Sequence, residues 1–313
     1  MANSHLIGIV TVTYNSESVL RDFLQCMAQQ THKRFLLFAV DNASTDNTLR
    51  ILRESTDERM RIIANSDNRG VAAGNNQGVR AALEAGCDAV LLMNNDTEFG
   101  PKLFSKLDEG ISAGGAEMTC PKMMYFDEPQ RIWAAGGAFQ PYFGYRAVHL
   151  GADQIDHGQY DRACLVTYAP TCCVLVKKEV FQKIGLMDER YFVYMDDVDF
   201  MFRAMKAGIQ LMYLPEEKLL HKVGRLTGGG DSPFSHRYCT RNRVYFLLRH
   251  FGAILSAPLL VLYQLYFMAA FLCRKFSFET YRIKEQAVIE ALMMWKAHSF
   301  SKAEGFFLKA DGR

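Results

Sequence analysis

Short apolar runs alternate with longer amphipathic segments in the N-terminal third of the chain, and this alternation constrains the fold strongly. The runs are rich in β-branched and large aliphatic residues, as expected of strands buried on both faces of a sheet. They are residues 7–13 (IGIVTVT), 35–41 (FLLFAVD), 60–64 (MRIIA) and 89–93 (AVLLM). Helices are predicted between and after them, at residues 16–30, 44–52, 71–85 and beyond Pro101. Strands that alternate with helices predict a parallel, doubly wound α/β sheet.

Such a sheet binds ligands beyond the carboxyl ends of its strands, so the residues that follow each strand are the candidates for a site. They are Tyr14-Asn15, Asp41-Asn42, the loop 65–76 and Asn94-Asn95-Asp96. The first loop contains neither GxGxxG nor a P-loop, which argues against a classical dinucleotide site. A carboxylate at Asp41 can accept hydrogen bonds from a ribose or a base. The alternative is a turn residue in a run that is rich in turn formers.

Two further loops carry residues that suit a diphosphate and a cation. The loop 65–76 opens a helix with small residues, where backbone N–H groups favour anions, and Arg69 can reach a phosphate. Asp96 directly follows a buried strand, where a carboxylate can ligate a divalent cation that bridges phosphate oxygens. The alternative for the loop 65–76 is an ordinary loop with a helix cap, and the alternative for Asp96 is an aspartate in a turn.

Three carboxylates, Asp196, Asp197 and Asp199, lie close together between aromatic runs. Buried carboxylates are costly unless they are hydrated, paired or metal-bound. Asp197 and Asp199 face differently in a helical turn, which predicts a general base and a structural partner. The alternative is an acidic helix start. His221 becomes a metal-ligand candidate only if it meets Asp96 in space, and is otherwise a core histidine.

Beyond residue 115 the pattern changes to shorter strands separated by Gly- and aromatic-rich segments, which predicts a second subdomain laid on the same sheet. The predicted elements are strands at 116–119, 123–126, 164–169, 172–176 and 210–214, a Gly-rich loop at 224–230, and helices throughout 236–298. We therefore divide the chain into residues 1–115, 116–235 and 236–313.

Composition excludes several classes of protein. Lys and Arg total 36, Asp and Glu total 34, and the net charge of +2 argues against nucleic-acid binding. Eight cysteines without a CxxC pair predict a reducing compartment and no disulfide framework. The N-terminus has neither the basic region nor the long apolar region of a signal peptide. A cytoplasmic location follows from these features.

Six ordered motifs resemble those of inverting family 2 glycosyltransferases, which have the GT-A fold, a Rossmann-like fold for nucleotide-diphospho-sugar transferases. They are VTVTYN, DNASTDNT, NRGVAAGNNQG, LLMNNDT, YFVYMDDVDFMFR and a late His, spread over residues 6–225. The N-x-D form and the aromatic-acidic block look most like the bacterial rhamnosyltransferase branch, with galactofuranosyltransferases nearby. The resemblance implies that residues 1–115 bind the nucleotide sugar and that 116–235 form the acceptor-binding, catalytic half.

The resemblance also implies a role for each matching residue. Donor-binding roles are implied for Thr13, Tyr14, Asn15 and Asp41 around the nucleobase, and for Asn68, Arg69, Gly70, Asn75 and Asn95 on the diphosphate side. Acceptor-side roles are implied for Trp133, Gly136, Gly137, Asp196 and Asp199. Mg²⁺ or Mn²⁺ is implied on Asp96, with His221 as a further ligand, and Asp197 is implied as the base. Asn94 stands where many relatives have Asp, so metal binding rests on Asp96 and His221.

The activity that this resemblance implies is one inverting displacement at the anomeric carbon. It moves L-rhamnose from dTDP-rhamnose to a saccharide or polyprenyl-diphosphate-linked acceptor in bacterial surface polysaccharide synthesis. One alternative is a UDP-sugar donor, as in a galactofuranosyltransferase. A non-catalytic nucleotide-sugar-binding assembly subunit and a nucleotidyltransferase are alternatives of other classes, and the second normally has a Gly- and Arg-rich N-terminal loop that is absent here.

An uncharged stretch of 23 residues at 251–273 is long enough to span a bilayer. Ser256, Pro258 and Gln264 interrupt its apolar character, and basic residues flank it on both sides. A single span should show asymmetric flanks, so we predict a helix or broken hairpin in the interface on the inner face of the plasma membrane. A core helix, an interface with a second copy of the chain, and a true span are the alternatives.

Overall fold

The structure is a computed structural model that describes residues 4–113, 115–224 and 231–310, with side chains as far as residue 297. The strands are β1 (Ile7–Thr13), β2 (Phe35–Asp41), β3 (Met60–Ala64), β4 (Ala89–Met93), β5 (Thr97–Phe99), β6 (Met118–Tyr125), β7 (Ile132–Ala134), β8 (Gly137–Gln140), β9 (Arg146–His149), β10 (Cys164–Val166), β11 (Cys173–Lys177) and β12 (Leu211–His221). The α-helices are α1 (Glu17–Ala28), α2 (Thr48–Glu54), α3 (Gly70–Glu84), α4 (Leu103–Ala113), α5 (Lys178–Ile184), α6 (Asp196–Lys206), α7 (Pro233–Leu272) and α8 (Phe278–Ala310). Residues 225–230 of the predicted Gly-rich loop lie outside the described residues.

The chain packs as two units. The first consists of Met1–Phe192 and Asp196–Leu226, and the second of Thr227–Arg313 together with the short segment Val193–Met195. The segment that directly precedes Asp196 therefore packs with the C-terminal helices, although the residues on both sides of it belong to the first unit.

A ten-stranded mixed sheet forms the centre of the first unit, in the order β10-β12-β6-β11-β4-β1-β2-β3, with β5 on β12 and β7 on β6. β1 pairs in parallel with β2 and β4, and β2 with β3, as predicted. β11 runs antiparallel to β4 and β6, so the sheet is parallel among the four N-terminal strands and mixed beyond them. The chain enters β11 at the carboxyl edge of β4, where the Asn94 N–H donates to the Cys172 carbonyl oxygen, and β11 must therefore run in the opposite direction.

The close packing of α3 against β1 explains two glycines of the NRGVAAGNNQG motif. A Cβ at Gly74 would overlap the side chain of Val12, and one at Gly78 would overlap that of Val10. Neither glycine has a positive φ, so their small size, rather than backbone freedom, is what the fold requires. α3 consequently lies close to β1, and its N-terminus is fixed at the carboxyl edge of the sheet.

β6 and β12 are both longer than the sequence pattern predicts. Runs 116–119 and 123–126 form one strand that passes through Pro121, and the strand predicted near 210–214 continues to His221. The two strands pair in parallel with a register shift between Leu214 and Lys218, opposite Pro121. A bulge of this kind accommodates a proline, which cannot donate to the ladder. The extension of β12 brings His221 to the carboxyl edge.

The second unit is a pair of long helices, α7 and α8, which pack on each other. α7 is interrupted at Gly252, which has φ +72° and ψ 174°, and then continues through Ser256, Pro258 and Gln264. The interruption thus lies at the start of the uncharged stretch, at a glycine that adopts a positive φ without a steric penalty. The helical prediction for 236–298 is confirmed apart from this interruption and the connection at 273–277.

Candidate active site

Thr13 and Asp41 end the adjacent strands β1 and β2 and lie opposite each other in the parallel register. Thr13 Oγ1 donates a hydrogen bond to Asp41 Oδ1 at 2.9 Å. Ser44 contributes two more, from its backbone N to Asp41 Oδ2 at 3.0 Å and from Oγ to Oδ1 at 2.6 Å. The Asp41 carboxylate is buried and accepts hydrogen bonds from its own turn, as expected of the alternative interpretation of Asp41 as a turn residue. Its contact with a nucleobase stays a prediction.

Tyr14 and Asn15 follow β1 at the same edge of the sheet. The Tyr14 side chain is 45% exposed, which leaves its ring free to stack on a planar ligand. Asn15 has φ +50°, and its Oδ1 accepts a hydrogen bond from the Thr45 backbone N at 2.8 Å. The loops after β1 and β2 are therefore joined, and they present an exposed aromatic ring beside polar groups.

The loop before α3 places its predicted donor residues in different environments. Asn68 Oδ1 accepts from the Gly70 backbone N at 2.9 Å, which shapes the turn into the helix. Arg69 is half-exposed, and its Nε lies 3.4 Å from Asp67 Oδ1, a surface pair that leaves the guanidinium accessible. Asn75 is buried, and its Nδ2 lies 3.7 Å from Met187 Sδ. Arg69 is thus exposed and Asn68 partly exposed at the surface of the loop, whereas Gly70 and Asn75 are buried.

Strand pairing brings Asp96 and His221 together across 125 residues of sequence. β5 runs antiparallel to the end of β12 with Thr97 opposite His221, and the Lys222 N–H donates to the Asp96 carbonyl oxygen at 2.9 Å. His221 Nε2 lies 3.3 Å from Asp96 Oδ1, without the geometry of a hydrogen bond. His221 therefore lies next to Asp96, which is the condition for considering it a metal ligand.

Several polar atoms around this pair are buried and lack a hydrogen-bond partner. They are Asp96 Oδ1, His221 Nδ1 and Asn95 Oδ1, while Asn95 Nδ2 donates to the Val12 carbonyl oxygen at 2.7 Å. Buried groups of this kind are usually satisfied, so three of them together indicate a place where a polar ligand binds. Carboxylate and amide oxygens and an imidazole nitrogen suit Mg²⁺ or Mn²⁺.

Among the described residues there is no group of three or more His, Cys, Asp and Glu side chains that could hold a metal ion. Asp96 and His221 are candidate ligands among the described residues, and a cation held by them would need further ligands from a bound molecule. Mg²⁺ in particular is commonly held by one or two carboxylates and substrate phosphates. The residues present therefore fit a cation that is bound together with the donor.

Asp199 has a structural environment. Its carboxylate is 0% exposed, Oδ1 accepts from the Tyr191 hydroxyl at 3.2 Å, and Oδ2 accepts from Arg203 Nε at 2.8 Å. Arg203 in turn donates to the carbonyl oxygens of Ile184 and Leu186. An acceptor cannot reach this carboxylate, so the structure removes Asp199 from the predicted acceptor residues and leaves it the structural role.

Of the three carboxylates in this cluster, Asp197 is the one that is partly exposed. Asp196 is only 4% exposed, and Asp199 is fully buried. Asp197 Oδ2 accepts a hydrogen bond from the Tyr168 hydroxyl at 2.7 Å, and Oδ1 accepts from the Val198 backbone N at 2.7 Å. Burial raises the pKa of Asp197, and the hydrogen bond from Tyr168 opposes that rise. The carboxylate is thereby fixed in direction and is a stronger proton acceptor than an exposed aspartate.

Asp196 lies beside this base with little access to solvent. Burial, reinforced by the charge of Asp197, raises the pKa of Asp196 to about 8. Two adjacent carboxylates in one low-dielectric site resist being ionised together, so the pair holds a proton more readily than an exposed aspartate does.

An aromatic series joins Asp197 to the Asp96–His221 pair. The Tyr168 ring stacks on His149 with 5.8 Å between centroids, and His149 packs edge-on against Trp133 at 4.7 Å. Trp133 then packs edge-on against His221 at 4.4 Å. The two chemical centres of the site therefore share one continuous wall within the first unit.

Sequence reasoning named Trp133 in this wall but missed Tyr168 and His149. The glycines predicted beside Trp133 make room for the wall, since a Cβ at Gly137 would overlap the Tyr168 ring and one at Gly136 would press on Val166. Gly136 also has φ +71°, which favours glycine. A hydroxyl that donates to Asp197 has no signature in the sequence, because the contact depends on the packing of distant segments.

The family model for glycosyl transferase family 2 matches residues 8–185, more than half of the chain. The chain belongs to this family. The match covers Thr13, Asp41 and Asp96, and it ends before Asp197 and His221. The family and the GT-A fold implied by the resemblance are both confirmed, and the protein is a glycosyltransferase.

Two curated relatives align with this glycosyltransferase over most of its length. The N-acetylglucosaminyl-diphospho-decaprenol L-rhamnosyltransferase of Mycobacterium tuberculosis is 26% identical over 275 residues, covering 79% of this chain and 86% of that protein. The dTDP-rhamnosyl transferase RfbF of Shigella flexneri is 25% identical over 264 residues, covering 81% of this chain and 84% of that protein.

Among solved structures, the mannosyltransferase PcManGT of Pyrobaculum calidifontis, in complex with GDP-Man and Mn²⁺, shares the fold of this glycosyltransferase. The TM-score is 0.54 at 14% identity, and the match covers 93% of this chain and 86% of that one. At this identity the likeness concerns the fold alone.

Proposed function

We propose that this glycosyltransferase moves L-rhamnose, with inversion, from dTDP-rhamnose to a saccharide or polyprenyl-diphosphate-linked acceptor in bacterial surface polysaccharide synthesis. The observation that carries the proposal is a single wall that joins an accessible, fixed carboxylate, Asp197, to the Asp96–His221 pair. A base and a cation site in one cleft are what a one-step displacement on a nucleotide sugar needs. The choice of sugar rests on the two rhamnosyltransferase relatives.

Asp197 is proposed as the general base. Tyr168 and Val198 hold both of its oxygens in place, and a lone pair on the carboxylate remains for the hydroxyl proton of the acceptor. As that proton moves to Asp197, the acceptor oxygen bonds to the anomeric carbon and the bond from that carbon to the diphosphate breaks. A single displacement on the opposite face inverts the configuration, and it requires no nucleophile from the protein.

The donor is proposed to lie along the carboxyl edge of the sheet. Tyr14 stacks on the nucleobase beside Asn15, Thr13 and Asp41, and Asn95, whose Nδ2 donates to the Val12 carbonyl oxygen, lies toward the diphosphate. Asn68 and Arg69, at the surface of the loop before α3, approach the phosphates, and the buried Gly70 and Asn75 support that loop from beneath. A Mg²⁺ or Mn²⁺ ion on Asp96 and His221 would supply positive charge to the departing diphosphate.

The donor assignment predicts a thermal shift that is specific for the nucleotide sugar. With Mn²⁺ present and dTDP-rhamnose at about 100 times its Kd, the melting temperature should rise by about 5 °C or more, since a bound ligand stabilises the folded state. UDP-galactofuranose and GDP-mannose should give smaller shifts. The Tyr14→Ala variant should lose most of the dTDP-rhamnose shift, and Tyr142→Ala, which removes a more exposed tyrosine ring elsewhere, should keep it.

A larger shift with UDP-galactofuranose would replace the rhamnose assignment with the galactofuranosyl alternative. If no nucleotide sugar stabilises the protein, the proposed function is wrong. Donor binding without release of dTDP in the presence of an acceptor would favour the non-catalytic assembly subunit.

We further propose that the second unit contacts the inner face of the plasma membrane. Among the described helices, α7 is the one long and apolar enough to cross a membrane, by length and composition only. Large apolar side chains on it are exposed, among them Ile254 at 88% and Leu265 at 61%. Arg274 and Lys275 follow the apolar stretch directly, which suits an anionic lipid surface. The lipid-linked substrate in the name of the mycobacterial relative is consistent with such a location.

The membrane proposal predicts that the protein sediments with vesicles that contain anionic lipid. The double variant Ile254→Glu/Leu265→Glu should bind them about 100-fold more weakly, because two side chains lose roughly 1.5 kcal/mol of burial each. The matched control is Leu165→Glu, which charges an exposed leucine of β10 in the first unit and should bind like the wild type. A wild-type protein that ignores vesicles but forms dimers in solution would assign the apolar face to a second copy.

A further inference from the structure

The backbone just before the proposed catalytic carboxylate has an unusual conformation. Between Phe192 and Met195, three of the four residues have left-handed φ angles, +64° at Phe192, +61° at Tyr194 and +66° at Met195. None of them is glycine, and residues with a Cβ adopt this conformation only at a cost. Such a segment keeps its shape where its surroundings hold it. The contacts that hold it also determine how the chain enters α6.

The first residue of the segment is held within the first unit. The Phe192 carbonyl oxygen accepts a hydrogen bond of 2.5 Å from the backbone N–H of Val71, near the start of α3. A Cβ at Gly70 would overlap that carbonyl, so the close approach requires glycine there. The start of the segment is therefore fixed to the donor-side loop.

Asn242 of α7 holds the middle of the segment, within the second unit. Its Nδ2 donates to the carbonyl oxygen of Val193 at 2.7 Å and to that of Tyr194 at 2.8 Å. A side-chain amide has two N–H donors, and both are used here. The Asn242 side chain is 0% exposed, so water cannot replace it as the partner of these carbonyls.

Arg241 sets the orientation of this amide. Its Nε donates to Asn242 Oδ1 at 2.8 Å, and its guanidinium carbon lies 4.4 Å from the centroid of the Tyr238 ring. A reversed amide would turn its oxygen toward two carbonyl oxygens and its nitrogen toward the guanidinium. The amide group therefore has one favourable orientation, and it is the one that holds the segment.

Downstream of Asp197, α6 has a separate anchor. Arg203 donates to Asp199 and to the carbonyl oxygens of Ile184 and Leu186. Asp197 thus lies between an anchor that secures the helix and the contacts of Asn242 that secure the approach to it.

We propose that Asn242 is a positioning residue for Asp197. By holding the carbonyls of Val193 and Tyr194, it fixes the backbone from which α6 begins, and hence the direction of the Asp197 carboxylate. The inference rests on the proposed function, in which Asp197 is the base.

The test is the Asn242→Leu variant of the full-length protein, which keeps the side-chain size and removes both donors. We expect kcat to fall by about 10- to 100-fold, because a small misplacement of a catalytic group is costly, while KM for dTDP-rhamnose changes by less than about twofold. Hydrogen exchange should become faster in peptides that cover residues 193–199 and remain unchanged over α3. Arg241→Met should also lower kcat, but by a smaller factor than Asn242→Leu. It provides the test if Asn242→Leu does not fold.

The matched control is Thr240→Val, which alters a buried polar residue two positions earlier on the same helix without touching the segment. It should keep the wild-type kcat. The proposal is overturned if folded Asn242→Leu has the same kcat as Thr240→Val. It is also overturned if the affinity of Asn242→Leu for the donor falls as much as its kcat. If the wild type itself transfers no sugar, the proposed function fails, and the exchange rates alone decide whether Asn242 holds the segment.

Discussion

Replacing Asp197 with Asn should lower kcat for sugar transfer by about 10²–10⁴-fold, the range that a well-placed general base contributes. The amide has nearly the shape of the carboxylate but cannot accept a proton from the acceptor hydroxyl. Donor binding should persist, because the proposed donor residues lie on other strands and loops. The measurement is release of dTDP from dTDP-rhamnose, with donor binding followed separately by thermal shift.

The pH profile gives the same prediction a second readout. Since burial raises the pKa of Asp197, the wild-type rate should fall as the pH drops through that raised value, where the carboxyl becomes protonated and cannot act as a base. The residual rate of Asp197→Asn should lack this acid limb. Near-wild-type turnover in the variant, or an unchanged acid limb, would remove Asp197 from the role of base.

Asp108→Asn provides the matched control for this substitution. Asp108 is a buried carboxylate of α4 whose Oδ1 lies 2.6 Å from His5 Nδ1, and His5 precedes β1 at the end of the strand away from the site. The control removes a buried, paired charge of the same kind, so it should lower the melting temperature and leave kcat unchanged. A loss of activity in both variants would indicate a general effect on folding.

The parts of the fold that depend on local pattern were predictable from the sequence. The four runs that became β1, β2, β3 and β4 are continuous and apolar, and each is followed by a helical period, so their order and parallel pairing follow from general rules. The same rules place Asp41 and Asp96 at the carboxyl edge of the sheet. Both positions depend only on where a strand ends, which local sequence indicates.

The parts that depend on distant pairing were not predictable. β11 has the same apolar character as β4, and nothing in its residues reveals that it runs in the opposite direction. Tyr168 follows a short strand in a region without clear periodicity, and its hydrogen bond to Asp197 depends on the packing of segments 29 residues apart. A contact of this kind exists only once the whole subdomain has folded.

The roles of the clustered carboxylates were predictable in part. Helical spacing correctly indicated that Asp197 and Asp199 face differently, but not which of them is buried. The signal that distinguishes them is Arg203, four residues after Asp199, a spacing that favours an ion pair on a helix. Asp197 has no basic residue four positions later, since position 201 is Met. This comparison alone would have assigned the structural role to Asp199.

Replacing Asp96 with Ala should lower kcat by about 100-fold or more, because a cation on the leaving diphosphate contributes several kcal/mol of charge stabilisation. The variant also removes one of the two protein ligands that the structure brings together at 3.3 Å. We therefore expect the stabilisation of the donor complex by Mn²⁺ or Mg²⁺ to disappear. The measurement is the thermal shift by dTDP-rhamnose with and without added metal, alongside the rate of dTDP release.

Asp88→Ala is the matched control, since Asp88 precedes β4 at the end of the strand opposite to Asp96 and pairs with Lys178 on the surface. It should retain both the metal effect and the rate. His221→Gln should weaken the metal effect less than Asp96→Ala, because the carboxylate supplies the charge while the imidazole supplies a neutral ligand. A wild-type rate that is unaffected by EDTA would contradict the assignment. The buried, unpartnered oxygens of Asp96 and Asn95 would then require a ligand that donates hydrogen bonds to them.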